Sequence, residues 1–551
     1  MKRTAPQRKT PKSTFTSLRA GKLRVQFMSG NLGSIFLDGV EVLRGISYLV
    51  RDANWGTCPA KITGLKTLRR KGGTEVRYTS VTETGGARLT MQAVITISPQ
   101  AVSFHARATP DGDIRTNRTG FVVLHAINGV AGRPVTVTHT DGSVERARFP
   151  KVISPAQPFF DIRALEHSPA PGRKAHVRME GQKFEMEDQR NWTDASYKTY
   201  VRSLFDPWPY VLKAGETFEQ SVTLTLKGSS KRSGVKAAKR AAAMVKVPAI
   251  GIAIGPDEVE ASLRQVKLLK RLAPRHLTFT IGGLNGSGGE LNSTCIAYGR
   301  LAEASGVPVT LEIVLPARAA ASEEMAGMAA AVERAGLEPK RVVVTHAHDL
   351  KSFQPTDKRP WGPTYEEMAA AARQHFPQAE VGGGMISFFT ELNRKRPPAG
   401  VFDFITHAIC PIVHDASDEA VMQTLEALPH VFASGRSFIG KTPYHLGPSS
   451  IGARLNPYGA SLASNPLTRR MCLAPNDPRQ FTAFAVAWNK AVILSAAQAG
   501  LSSLTLSALT GPRGLVTASG RASPLFDYLS AVMPFSGKRI SESAIARLGQ
   551  A

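Results

Sequence analysis

His346 and His348 stand two apart, with Asp349 beside them, in the string Thr345-His346-Ala347-His348-Asp349. On a strand, alternate residues face one side, so both imidazoles would share a face. There they could move a proton, donate a hydrogen bond or ligate zinc. Ligation needs further donors from other segments, and no spacing supplies them, so no cofactor is expected and a divalent metal is the alternative. Glu312 lies among Leu311, Ile313 and Val314, where a carboxylate is costly unless paired or functional. Glu391 and Arg394 are one turn apart if their segment is helical, which makes them either site residues or a structural ion pair. His407 and Arg436 close two later apolar runs. His414-Asp415 reads either as a catalytic pair or as a cap for a helix beginning near Ser417.

Such residues have to be held by rigid elements. After Pro248 the pattern alternates strand and helix, with strands expected at 249–254, 276–281, 307–315, 341–346, 380–385, 402–408, 431–434 and 502–508. Thr364 with Glu367 forms a capping box. Asp477, Pro478 and Gln480 mark another helix start, and Gly500 its end. Eight such units fit a (β/α)8 TIM barrel, in which function lies at the C-terminal ends of the strands. The glycine-rich run at 282–289 lacks the Lys-Ser/Thr of a phosphate-binding loop and reads as a loop at the barrel mouth.

Residues 15–228 follow a different rule. Short runs alternate apolar and polar, as in Val222, Leu224 and Leu226 against Ser221, Thr223 and Thr225, between Gly, Pro and Asp turns. This predicts an antiparallel β-sandwich-like domain. The multidomain layout expected is a basic disordered tail at 1–14, the β-rich domain at 15–228, a basic linker at 229–247 and the barrel with a C-terminal helix at 248–551. Two strings stand out in the β-rich half. Phe184–Tyr200 packs Glu185, Glu187, Asp188, Arg190, Asn191, Trp192 and Asp194 into a stretch too polar for good strand propensity. Thr116–His125 reads TNRTGFVVLH. Either string binds a polyhydroxyl ligand or closes over the barrel mouth, or else it forms a satisfied polar network.

These strings, with Arg51–Thr57 (RDANWGT), HTDG at 139–142 and Phe149-Pro150 before Ile153-Ser154-Pro155, resemble the D-apionate lactonase family over most of the chain. The resemblance implies a β-rich N-terminal domain, a barrel, and hydrolysis of D-apionolactone to D-apionate in bacterial apiose catabolism. It also implies a β-rich segment after the barrel, for which little chain remains here. Lactone opening requires a base for water, a donor or cation for the oxyanion, and a proton for the departing oxygen. Glu391, Glu312 and Asp349 are the candidates for base or acid. His346, His348 and Arg394 are candidates for polarising the carbonyl. Glu187, Asp188, Arg190, Asn191, Trp192, His407 and Arg436 are candidates for holding the sugar. No G-x-S-x-G elbow supports a serine-esterase route.

Composition narrows the rivals. The 551 residues carry a net charge of +26. Of the basic residues, 8 lie in residues 1–24 and 7 in residues 227–246, with no acid in either stretch. No aromatic residues interleave a basic stripe, which argues against nucleic acid. No apolar run approaches membrane-spanning length. The 4 cysteines are far apart, without zinc-like spacing, which fits a reducing, cytoplasmic setting. A glycoside hydrolase is the alternative enzyme, although the fourth strand ends in histidines and 431–438 contains no acid. A carbohydrate-binding protein without catalysis is the alternative outside the enzymes.

Overall fold

The computed structural model describes residues 15–228, 243–283, 288–459 and 461–548. The expected tail at 1–14, most of the linker at 229–247 and residues 284–287 of the glycine-rich run lie outside the described residues. The described chain forms two compact units. One comprises 15–151, 157–189 and 196–228; the other comprises 152–156, 190–195 and the chain from 243 onward.

The first unit is built on a continuous 17-stranded sheet whose strands pair antiparallel, beside a separate two-stranded pair, Ile114–Thr116 with Tyr210–Leu212. In strand Ala87–Ser98, Leu89, Met91, Ala93, Ile95 and Ile97 are buried and the residues between them mostly exposed. That is the pattern of a sheet with one face on a core, and it makes this the sandwich-like domain the alternation predicts. The Phe184–Tyr200 string forms strands despite its poor propensity. Phe184–Asp188 pairs with Ser196–Val201 around a 3-10 turn at Gln189–Trp192. Its charges are tolerated because they pair across strands: Lys198 Nζ lies 2.6 Å from Glu187.

The second unit is a closed barrel of eight parallel strands. They are β1 (Ala249–Ala253), β2 (Leu277–Gly282), β3 (Val309–Leu315), β4 (Pro339–His346), β5 (Glu380–Phe388), β6 (Phe404–Ile409), β7 (Tyr444–Ser449) and β8 (Ser503–Leu506). Outward-facing Leu311, Val342, Val344, Val381, Ile405 and Leu504 join the large apolar layer under the helices. Val314, Val343, Ile386 and Phe404 form a smaller cluster within the strands. Glycines make room for this interior. A Cβ on Gly382 would come within 2.2 Å of the Phe404 ring, and one on Gly251 within 2.4 Å of the His276 ring.

Seven of the eight expected strands form, and the exception has a physical cause. Residues 431–434 belong to helix Asp418–Ile439, capped by Ser417 and containing Pro429. The proline reads as a break, but Val421, Thr424, Leu428, Val431 and Phe432 are buried at helical spacing. The true β7, Tyr-His-Leu-Gly-Pro-Ser, carries two strand breakers. The helix start expected at Asp477 is also displaced. The Asp477 carboxylate accepts from Arg479, at 2.6 Å from Nη2, and the helix Ala483–Gln498 is capped by Thr482 instead. The Thr364–Glu367 capping box forms as expected. No described helix is long and apolar enough to cross a membrane.

Buried neutral histidines make the fold acid-sensitive. Burial pushes the His276 imidazole down to about 3 and that of His407 to about 4. Unfolded, each titrates near 6.5, so the unfolded chain binds more protons once the pH drops below that value. Their stabilisation is whole above 6.5 and is lost as pH falls toward 3–4, at about 1.4 kcal/mol per pH unit for each. Urea midpoints are expected to be flat between pH 7 and 8 and to fall steeply from 6.5 to 4. A flat profile down to pH 4 would contradict this.

Candidate active site

The C-terminal ends of β3, β4, β5 and β7 carry two charged clusters. In the first, Glu312 on β3 points into the barrel, 2 % exposed. It accepts from Thr280 Oγ1 at 2.7 Å and from Arg454 Nη2, in the segment after β7, at 2.7 Å. Arg454 also lines a pocket over the ends of β5, β6 and β7, together with Ser387, Phe388, Ala408, Cys410 and Ser450.

The second cluster holds Asp349 and Glu391. His348 and Asp349 lie in a 3-10 turn, Ala347–Leu350, so His346 and His348 do not share a strand face. Their rings meet edge to face at 5.9 Å. Asp349 is 1 % exposed and lies 2.5 Å from Lys395 Nζ, 3.2 Å from His346 Nε2 and 3.3 Å from Arg359 Nη1. Burial pushes His346 down to about 4, so the ring is neutral and its Nε2 accepts from Lys395 Nζ at 2.8 Å. Glu391 accepts from Arg359 at 2.8 Å and from the Phe353 amide at 3.2 Å. Burial pushes its carboxyl up, while Arg394 and Arg359 pull it back. Arg394 donates to Pro155 O, Ser352 Oγ, Phe353 O and Gln354 Oε1. Its donors are spent on backbone, hydroxyl and amide acceptors that fix the surrounding segments.

The remaining expected residues divide by location. Arg190, Asn191 and Trp192 belong to the barrel's unit. Arg190 donates to His430 Nδ1 at 3.1 Å. Asn191 accepts from Asn393 Nδ2 at 2.9 Å, and its backbone carbonyl accepts from Thr390 Oγ1 at 2.8 Å. Both residues tie their segment to the barrel. Trp192 sits 6.0 Å from the pocket-lining Phe388 and 5.2 Å from the exposed Tyr458, centroid to centroid. Glu187 and Asp188 belong to the β-rich unit. His407 is fully buried on the outer side of β6, where the Tyr444 hydroxyl lies 2.7 Å from its Nε2, so it does not reach the mouth. Arg436 donates to Gly440 O and Thr442 O, capping the helix that precedes β7, because residues 431–434 are helical.

Two further features at the mouth are absent from the site expected from sequence: the pairing of His414 with Asp194, and Arg454. His414 Nδ1 lies 2.7 Å from Asp194 Oδ2, and its ring stands edge-on to Trp192 at 5.8 Å. Asp194 and His414 are 220 residues apart, so no local spacing signals the pair. Asp415, its neighbour, accepts from the Ser417 amide at 2.7 Å, while the helix itself is capped by Ser417. Arg454 was hidden by the misplaced seventh strand. Among the described residues no group of three or more His, Cys, Asp and Glu side chains gathers as metal ligands would.

The closed parallel barrel thus brings a histidine–aspartate pair, an arginine and aromatic rings to its C-terminal end, where barrel enzymes carry their active sites. The chain belongs to the D-apionate lactonase family: residues 3–229 match that family's N-terminal domain and residues 250–537 its TIM barrel domain. It is 43% identical over 538 residues to the D-apionate lactonase of Brucella anthropi, covering 95% of this chain and 88% of that one. Among solved structures it is similar to an α-galactosidase of Geobacillus stearothermophilus, with 10% identity over 98% of this chain and 85% of that one and a TM-score of 0.28. It is also similar to a galactose mutarotase-like protein of Clostridium acetobutylicum, with 9% identity over 39% and 95% and a TM-score of 0.28.

Proposed function

We propose that the protein hydrolyses D-apionolactone to D-apionate, in the cytoplasm, with His414 as general base. The observation that carries this reading is the 2.7 Å contact between His414 Nδ1 and Asp194 beside the aromatic wall of the mouth. The carboxylate holds the ring with its proton on Nδ1, which leaves Nε2 to take a proton from water. The hydroxide so formed attacks the lactone carbonyl carbon. The oxyanion gathers beside Arg454, whose guanidinium is oriented by Glu312. The ring C–O bond then breaks, and the imidazolium returns its proton to the departing alkoxide. The product is a hydroxy acid that ionises to its carboxylate. Trp192 and Phe388 offer apolar faces to the sugar carbons. None of the four cysteines forms a disulfide, which suits a reducing compartment.

The direct test is D-apionolactone turnover, followed by acid release at constant pH. Absence of turnover, with hydrolysis of another substrate class instead, would defeat the reading. Because water is activated here by an imidazole, exhaustive treatment with EDTA is expected to leave kcat within about twofold. Loss of turnover on chelation, with recovery on adding zinc or manganese, would assign the water to a metal instead.

A further inference from the structure

The β-rich unit carries a buried cation without a counter-ion. Strand Arg118–Ala126 lies between Gly45–Arg51 and Ser196–Val201, and Ser196–Val201 pairs onward with Phe184–Asp188. Arg118 is opposite Arg51, Leu124 opposite Lys198, and Lys198 opposite Glu187; Tyr200 is opposite both Val122 and Glu185. Directly opposed residues share a face, so Arg51, Arg118, Lys198, Tyr200, Glu185 and Glu187 stand on one side of the sheet. Five of the six are satisfied. Glu187 pairs with Lys198, Glu185 accepts from the Tyr200 hydroxyl and from Ser203 Oγ, and Arg51 donates to Trp55 O.

Arg118 differs. It is 7 % exposed, its Nε is buried, and among the described residues it has no ion pair and its guanidinium no hydrogen bond. The guanidinium carbon lies 3.7 Å from the Tyr200 ring centroid and 5.3 Å from that of Trp55. Stacking satisfies the flat face of a guanidinium and leaves its N–H edge, the part shaped for a carboxylate. The preceding Asn117 is 4 % exposed, and both its amide atoms are buried without partners. Two adjacent buried side chains with unused donors and an unused acceptor are costly unless something else meets them. Trp55 packs edge-on to Trp208, which is 49 % exposed, so an aromatic surface borders the cation on the solvent side.

We propose that this face is a binding site for a small polyhydroxy carboxylate. The carboxylate meets the edge of Arg118, a hydroxyl meets the Asn117 amide, and the carbon chain lies on Trp55. It rests on the lactonase reading only for the identity of the physiological ligand, the aldonate that lactone opening releases.

The test is calorimetric titration of the full chain with D-gluconate, with D-glucose and inorganic phosphate as controls. Gluconate is expected to bind saturably and at least tenfold more tightly than glucose. Arg118→Met is expected to weaken gluconate at least tenfold and to melt at or above the parent temperature, since it removes an uncompensated charge while keeping length. Arg118→Lys is expected to retain part of the affinity. The site is overturned if the parent does not bind gluconate, if glucose binds equally, or if Arg118→Met binds as the parent does. It is also overturned as a hydroxy-acid site if phosphate binds more tightly than gluconate. No arm reads turnover, so failure here leaves the lactonase reading standing, and the converse also holds.

Discussion

His414→Ala is expected to lower kcat for D-apionolactone by about 10²–10⁴-fold, with a cooperative melt close to the parent's. The ring is partly exposed, with 16 % of its side-chain surface accessible, so truncation removes a reactive group without opening a core cavity. Asp194→Asn is expected to cost a similar factor by a different route. The amide can still touch Nδ1, but it cannot balance the imidazolium that forms when water is deprotonated, and it can hold the ring in the wrong tautomer. The two losses should not add, because each removes the same base. Steady-state kinetics on the two single variants and the double variant checks this. Full turnover in His414→Ala would place the base elsewhere at the mouth.

Asp349→Asn is expected to lower the unfolding free energy by about 3 kcal/mol, read as a shift of the urea midpoint at constant slope. Asp349 is the carboxylate that Lys395, His346 and Arg359 share, and it is almost wholly buried. Neutralising it leaves Lys395 beside a neutral imidazole and next to Arg359 with no compensating charge of its own. Its two cationic partners, Lys395 and Arg359, are about a quarter exposed, which keeps the loss at the lower end of the range for buried pairs. A shift within 0.5 kcal/mol of the parent, a bound set by ordinary surface substitutions, would mean that solvent screens the cluster.

The barrel was legible because its strands and helices repeat two periodicities over long stretches. The β-rich unit was legible for the same reason, at period two. Where the structure departs from the local pattern, packing overrides a local rule. Residues 431–434 look like a short apolar strand after Pro429, and only their burial at helical spacing with Val421 and Leu428 shows otherwise. Arg436 and His407 followed from that error and from an unknown facing: a strand's outer side cannot be told from its inner side when both are apolar. Glu312 was found because a carboxylate inside an apolar strand is conspicuous. Glu391 and Arg394 were found as a pair, and the hydrogen bonds of Arg394 show how much of that pair serves structure. The Asp194–His414 contact joins residues whose separation exceeds any motif, so the sequence signals each partner only by itself: Asp194 by the charge and aromatic density near Trp192, His414 by its neighbour Asp415.

A chain beginning at Pro248 would hold all eight parallel strands and still lack Asp194, Trp192 and the Asn191 that Asn393 grips. The break in pattern at 229–247 is where recombination would join this barrel to a different partner. Such an exchange would separate His414 from its carboxylate while leaving every strand in place. A join at that break would cut away residues 190–195, which group with the barrel although they lie between two strands of the β-rich unit.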